Sequence, residues 1–388
     1  MTQKYTIGVM RTAVEETEPD AFRRMVETAA GNVEARLAET LQVQIDVFDF
    51  PGPHLTPLGG AYSPLHFLQL GLAEKLERRV NFLLLVTEVD LSAAAFSYVV
   101  ALPSQLTNVG IISTKRLAPS FWGRAADEKV TVDRLTALML HTLGHVLNLP
   151  HAQAPANVMY NFQEVSDLDR MEELMPEQIE QFRHNLPLEA REEIARQHRL
   201  RFTLAQIVDN VRPIWRAVAR ANPLRLTIQM PTMLTAALSV DIVLFFSAET
   251  WDVASTLSFT ALIIFSLVAV LTSTGLLYRT FRLGPDQDRT GGLAESTVVT
   301  IVATFLTLLL AMVLLFLLFF LLTLFSGLTF FPSQLKETWP TVDPAVRLAE
   351  HLKLSFFLAS MGVLSGSLGG RADSREVIRQ VLFLDEET

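Results

Sequence analysis

The residues best equipped for chemistry lie in the stretch LMLHTLGHVLNLPHAQAPANVMYNF, residues 138–162. His141 and His145 are four residues apart, so on a helix they project from one face, one turn apart. Both imidazoles can then reach a single metal ion. His151 follows six residues later, and Pro150 makes continuation of the helix unfavourable. The helix should therefore end near Asn148, and the chain must turn sharply to bring His151 back beneath the other two. Such a turn wants a residue at positive φ; glycine is the usual choice, and asparagine is among the few others that tolerate it. A lone histidine on an apolar helix is more often a core residue than a ligand. Here three of the eight histidines fall within eleven residues, at ligand spacing, on a helix that then breaks. Three imidazoles with one open position suit tetrahedral Zn2+, which is the expected cofactor.

The elements that must position these side chains can be read along the first half of the chain. KYTIGVM reads as a strand, and EPDAFRRMVETAAGNVEARLAETL carries apolar residues at helical spacing. QVQIDVFDF alternates with period two, as a half-buried strand does. PGPHLTPLGGAYS is loop by its Pro and Gly content, and PLHFLQLGLAEKLERR is a second helix. NFLLLVTEVDL is a continuous apolar run, expected as a central strand buried on both faces. SYVVAL and VGIISTKRL are further strands, and DEKVTVDRLTALMLHTLGHVLNL is the long helix that carries the first two histidines. This alternation predicts an α/β sheet with helices packed on it.

With those residues in view, the histidine segment resembles the metzincin signature, His-Glu-x-x-His-x-x-Gly-x-x-His followed by a methionine turn. More narrowly it is similar to the archaemetzincin branch. In that family the third histidine is followed at once by cysteine, then four residues, a second cysteine, one residue and methionine. Here the run is His151, Ala152, QAPA, Asn157, Val158, Met159, so the spacing is kept and both cysteines are replaced. The family's later Cys-x-x-Cys falls near Glu177 and Glu180. Upstream, LLLVTEVDL and GIISTKRL resemble the strands preceding the family's zinc helix, and the likeness covers roughly residues 4–185. It implies a metzincin-like mixed sheet with a zinc-site helix, His141, His145 and His151 as ligands, Asn148 in place of the turn glycine, and Met159 as a soft apolar floor under the imidazoles. Tyr160 either faces the site or packs.

The departures carry their own implications. Without cysteines, the resemblance implies that the family's second, structural zinc site is absent. Thr142 occupies the position of the general-base glutamate, and a threonine hydroxyl is not a base near neutral pH. Zinc alone brings the pKa of its water to about 7, but general acid–base assistance is worth roughly 10²- to 10⁴-fold. The leading expectation is therefore a pseudopeptidase that holds a peptide or protein segment in its cleft. One alternative is an active zinc peptidase with a relocated base, for which Glu88, Asp90 and Glu164 are the candidate carboxylates. Another is a transporter or channel module regulated by the soluble domain.

Composition divides the 388 residues in two. The net charge of −9 argues against a nucleic-acid partner. The polar, acidic N-terminus does not read as a cleaved signal peptide. Mean hydropathy is +0.31, and beyond about residue 225 come long apolar runs. The expected organisation is a metallopeptidase-type domain over 1–187, a juxtamembrane helical linker over 188–226, and an all-α transmembrane helix bundle over 227–388. Four spans are expected, at 232–248, 253–278, 297–327 and 354–370. The linker should be helical to Val211 and break at Pro213, with its arginines and Trp215 against lipid headgroups or simply solvated. Asp241 is the one acid well inside an apolar run, a functional candidate by default. Gly362 and Gly366 form a small-xxx-small pair that lets another helix approach. Arg212, Arg216, Arg220 and Arg225 precede the first span, Arg279, Arg282 and Arg289 follow the second, and Arg371, Arg375 and Arg379 follow the fourth. The loop over 328–353, with Lys336, Arg347 and Lys353, weakens the contrast without reversing it. Four spans put the arginine clusters on one side, so an integral membrane protein is expected (of the plasma membrane if the cell is prokaryotic), with soluble domain and C-terminus cytoplasmic.

Overall fold

Strand formation in the first half follows the apolar runs. A computed structural model describes residues 4–14, 20–93, 98–105, 107–190, 194–195, 199–281, 293–330 and 347–371. Arg282, Arg289, Lys336, Arg375 and Arg379 lie outside the described residues, as does the side chain of Arg220. The chain divides into two compact units: Met1–Asp209 with Leu283–Thr300 and Phe383–Thr388, and Asn210–Arg282 with Ile301–Leu382. The expected linker is therefore shared between the units.

In the first unit, β1 (Lys4–Thr12), α1 (Asp20–Leu41), β2 (Gln44–Pro51), α2 (Pro64–Arg78), β3 (Phe82–Thr87), β4 (Ala101–Ser104) and β5 (Val109–Ser113) build a five-stranded sheet of order β2-β1-β3-β5-β4. Four strands are parallel, and β4 runs antiparallel to β5 at the edge. The sheet is mixed, and β3 is buried along its whole length as its unbroken apolar run predicts. The strand expected from SYVVAL begins later, at Ala101, and takes in Pro103, which an edge strand accommodates. The next helix, α3 (Glu128–Val146), starts on an Asp127 cap whose carboxylate accepts the Val130 N–H at 3.1 Å. It lies against the sheet where Gly110 in β5 leaves room for the Thr142 methyl. Arg134 anchors it, with Nε and Nη2 donating to Asp169 at 2.6 and 2.9 Å and Nη1 to the Leu117 carbonyl at 2.8 Å. Two buried apolar groups meet here: α1 with α3, and the sheet side chains Phe82, Leu84 and Val86. After α4 (Pro176–Glu189), the short β6 (Ile194–Ala195) precedes α5 (Arg199–Asp209).

The second unit begins with α6 (Val211–Ala221). The helical linker breaks at Asn210, not at Pro213. Pro213 falls in the first turn of α6, where its missing N–H has no intrahelical role. Then follow α7 (Pro223–Ile228), α8 (Pro231–Phe245), α9 (Ala248–Thr256) and α10 (Phe259–Phe281); β7 (Leu293–Ala294) returns to the first unit, paired antiparallel with β6, and α11 (Glu295–Thr329, from Ile301 onward in the second unit) and α12 (Arg347–Gly370) follow. Among the described residues, three helices are long and apolar enough to cross a membrane: Phe259–Phe281, Val298–Thr329 and Leu348–Gly370. The first expected span is not one straight helix. At 15 residues α8 is about 22 Å long, short of the roughly 30 Å hydrocarbon thickness, and α9 leaves it at 87°. Residues 253–256, assigned from sequence to the second span, belong to α9. The corner is held by the Trp251 indole N–H donating 2.9 Å to the Phe245 carbonyl, one of the acceptors a helix end leaves open.

Helix directions in this unit alternate. Along α12, Gly362 meets Asp241, Gly366 meets Ala237 and Gly370 meets Met233, so α8 and α12 are antiparallel. The Ser266–Ser360 hydroxyl pair at 2.9 Å and the Leu277–Gly370 contact make α10 parallel to α12. Phe320 against Phe356 and Gly327 against His351 set α11 antiparallel to it. The helix that exploits Gly362 and Gly366 is thus α8 of the same chain. Asp241 is 6% exposed, and among the described residues neither carboxylate oxygen has a hydrogen-bond partner.

Candidate metal centre

The metal group is made by the end of α3 and the turn after it. Leu147 is the last half-helical residue, and Asn148 stands at φ 62°, the left-handed conformation the return of the chain requires. The Asn148 N–H donates to the His145 carbonyl and the Leu149 N–H to the Gly144 carbonyl, both at 2.9 Å. Those two bonds are a Schellman ending with asparagine in the glycine position. His151 is delivered back to the helix. Its Nε2 lies 3.0 Å from His145 Nε2, which lies 3.1 Å from His141 Nε2. An edge of a tetrahedron built on zinc–nitrogen bonds of 2.0–2.1 Å is ~3.3 Å. The three donor atoms therefore fit one zinc ion, and theirs is the one group of metal-capable side chains among the described residues. His141 and His145 are buried and His151 is exposed, so the site opens on the His151 side.

Backbone acceptors orient the rings. His141 Nδ1 lies 2.7 Å from the Val158 carbonyl oxygen. A carbonyl can only accept, so the proton sits on Nδ1 and the Nε2 lone pair faces the other histidines. Phe162 covers the His141 ring edge-on, centroids 5.3 Å apart. Met159 is fully buried and lies against Gly144, where a side chain of any size would collide with its sulfur. Tyr160 is half-buried and packs at the margin of the apolar core.

At the positions where cysteines were expected in relatives, the structure has hydrogen bonds. The Ala152 N–H donates 2.7 Å to the Met159 carbonyl. Asn157 Oδ1 accepts the Met159 N–H at 2.7 Å, and its Nδ2 donates 2.7 Å to Gln178 Oε1. Glu177 and Glu180 are exposed on α4, and Gln178 between them is buried and makes the contact. The Val158 carbonyl acceptor, Gly144, Phe162 and Gln178 were not identified from sequence. Gly144 had a local signal, a glycine inside a helix four residues before the turn; Gln178 had none.

Thr142 is fully buried. Its hydroxyl donates 2.7 Å to the Leu138 carbonyl and its methyl faces Gly110. The three carboxylates considered as substitutes are held elsewhere. Glu88 Oε1 accepts the Val14 N–H at 3.2 Å. Asp90 takes Arg116 in a fork at 2.9 and 2.6 Å, and that hydrogen bond holds the Arg116 guanidinium above its ordinary pKa against the opposing effect of burial. Glu164 accepts from Ser166 Oγ at 3.2 Å. It lines a cavity of about 480 Å³ with Tyr98, Trp122, Arg134 and Val165. Arg134 precedes His141 by seven residues, two turns along the same face of α3.

Curated relatives match part of the chain. Over 114 residues the chain is 31% identical to archaemetzincin of Thermococcus kodakarensis, covering 29% of this chain and 58% of that protein. Over 108 residues it is 31% identical to archaemetzincin of Pyrococcus furiosus, covering 28% of this chain and 56% of the relative. Over these stretches the chain is similar to archaemetzincins. The chain spans less than three-fifths of the length of these relatives. No family model matches. Among solved structures, an archaemetzincin from Methanopyrus kandleri aligns with 18% identity and a TM-score of 0.37, covering 47% of this chain and 96% of that one. A zinc-dependent peptidase from Methanocorpusculum labreanum aligns with 22% identity and a TM-score of 0.36, covering 45% and 99%.

Proposed function

We propose that this is a membrane-anchored zinc protein whose archaemetzincin-like unit holds a peptide or protein segment and hydrolyses it slowly or not at all. The observation that carries the reading is the coincidence of three converging imidazole nitrogens with a committed hydroxyl at position 142. His141, His145 and His151 would hold the metal. When bound there, zinc supplies Lewis acidity toward a carbonyl oxygen. The chain's own residues supply orientation and shape. Val158 holds the His141 ring, Phe162 packs edge-on against it, Met159 fills the space over Gly144, and the cavity beside Glu164 offers an aromatic-walled recess for a side chain of the bound segment. Proton transfer is what they lack. The Thr142 hydroxyl donates to a helix carbonyl, and no carboxylate among the described residues joins the histidine group. Loss of that assistance is worth roughly 10²- to 10⁴-fold in rate.

Anchoring and orientation belong to the same proposal. The three long apolar helices, with α8 as a shorter fourth, support insertion in a lipid bilayer. With alternating directions, Arg225 ahead of α8, Arg279 at the end of α10 and Arg371 after α12 fall at one end of the second unit, and all three are exposed. That end would face the cytoplasm. Exposed Arg212, Trp215 and Arg216 on α6 suit contact with anionic headgroups.

The test is metal content. The full chain in detergent, loaded with zinc and dialysed, should retain about one zinc per chain, and His145→Ala should retain none. Zinc-free wild type after loading would overturn the metal assignment. Wild-type peptide hydrolysis lost on zinc removal, at a rate no mutation at position 142 improves, would overturn the pseudopeptidase assignment.

A further inference from the structure

A series of hydrogen bonds links another helix to the turn whose carbonyl meets the His141 ring. Gln178, in the first turn of α4, is buried. Its Oε1 accepts two bonds, from the Met175 N–H at 3.1 Å and from Asn157 Nδ2 at 2.7 Å. Asn157 Oδ1 in turn accepts the Met159 N–H at 2.7 Å. The Val158 N–H donates 2.8 Å to the Glu173 carbonyl, and the Val158 carbonyl receives His141 Nδ1 at 2.7 Å. Both amide orientations are dictated by the backbone. A backbone N–H can only donate, so Oδ1 must face Met159 and Oε1 must face Met175. Asn157 Nδ2 is left as the one donor available to join them. Every atom in the chain thus has one consistent role, and reversing either amide would oppose donor to donor.

We infer that Asn157 and Gln178 are positioning residues for the metal group. They fix the 157–159 turn, and that turn aims the carbonyl that sets the His141 tautomer. The inference rests on the proposed zinc site and concerns how tightly and in what geometry it binds. Partners behind a metal ligand change affinity by typically 10- to 100-fold when removed.

The experiment uses the full chain in detergent, with zinc affinity measured by competition against a chromophoric chelator and geometry read from the visible spectrum of the cobalt-substituted protein. Asn157→Ala should weaken zinc 10- to 100-fold and shift the cobalt bands. Gln178→Ala, which removes only the outer acceptor, should do the same to a smaller degree and covers the case in which Asn157→Ala fails to fold. Gln178→Glu, whose carboxylate oxygen still accepts from both partners, should keep affinity and spectrum close to wild type. If both alanine variants lower only the metal-free thermal midpoint and leave affinity and spectrum unchanged, the relay is merely structural and the inference falls. If wild type itself binds no zinc or cobalt, it is the metal assignment that fails.

Discussion

Thr142→Glu puts the candidate centre under the most direct strain. Position 142 is fully buried, its hydroxyl committed to Leu138 and its methyl seated over Gly110. A helical side chain has two usable χ1 wells, because the third drives into the preceding turn. Thr142 already fills two branches at Cβ, and the glutamate Cγ must take one of those places. The side toward Gly110 meets backbone and is closed to a longer chain. The glutamate must therefore run toward the N-terminal side, along the face that Leu138 shares. Overpacking costs about 1–3 kcal/mol, and a carboxylate without a partner there adds a further penalty of at least ~1–3 kcal/mol. The sum is about 2–6 kcal/mol. At 2–4 °C per kcal/mol for a unit of this size, the metal-free midpoint should fall by roughly 4–24 °C. Zinc should return part of that loss if the carboxylate reaches the ion's open side. Thr142→Gln has the same bulk without the charge and should show the packing loss with no zinc-dependent recovery. The assay is a thermal melt with and without chelator, paired with cleavage of a quenched fluorogenic peptide. Zinc-loaded Thr142→Glu should exceed both wild type and Thr142→Gln by ~10²-fold or more. A glutamate variant that melts with wild type in chelator and stays as inert as wild type in zinc would refute the reading of position 142 as the vacant base position.

Two further outcomes follow from backbone and packing. Asn148 at φ 62° makes Asn148→Gly neutral within a few tenths of a kcal/mol, whereas Asn148→Val should cost about 1–2 kcal/mol and weaken zinc by displacing His151, measured by chemical denaturation and chelator competition. In the second unit a Cβ on Gly366 would stand 3.2 Å from both the Ala237 Cβ and the Met233 carbonyl. Gly366→Leu should therefore separate α8 from α12, abolishing an engineered cysteine cross-link between Ala237 and Gly366 neighbours that forms in the Gly366 background.

Much of the centre is local and was legible in the residues themselves. Four-residue spacing places two imidazoles on one helix face wherever the helix packs, and Pro150 with Asn148 states both the stop and the handedness of the turn. Hydropathy likewise marks α10, α11 and α12, since a run of about twenty apolar residues is a property of that segment alone. What tertiary structure decided is pairwise and distant in sequence. Whether Glu88, Asp90 or Glu164 could serve as a base depended on partners such as Val14 and Arg116, which no spacing reveals. The right-angled corner at Phe246 and Ser247 depended on a Trp251 hydrogen bond, so an apolar segment read as one span became a short helix and a bend. The tautomer of His141 depended on the Val158 carbonyl, and Val158 on Asn157 and Gln178, twenty-one residues apart. Helix geometry repeats by rule, so spacing can announce two ligands; a hydrogen bond between separated segments exists only once folding has brought its donor and acceptor together.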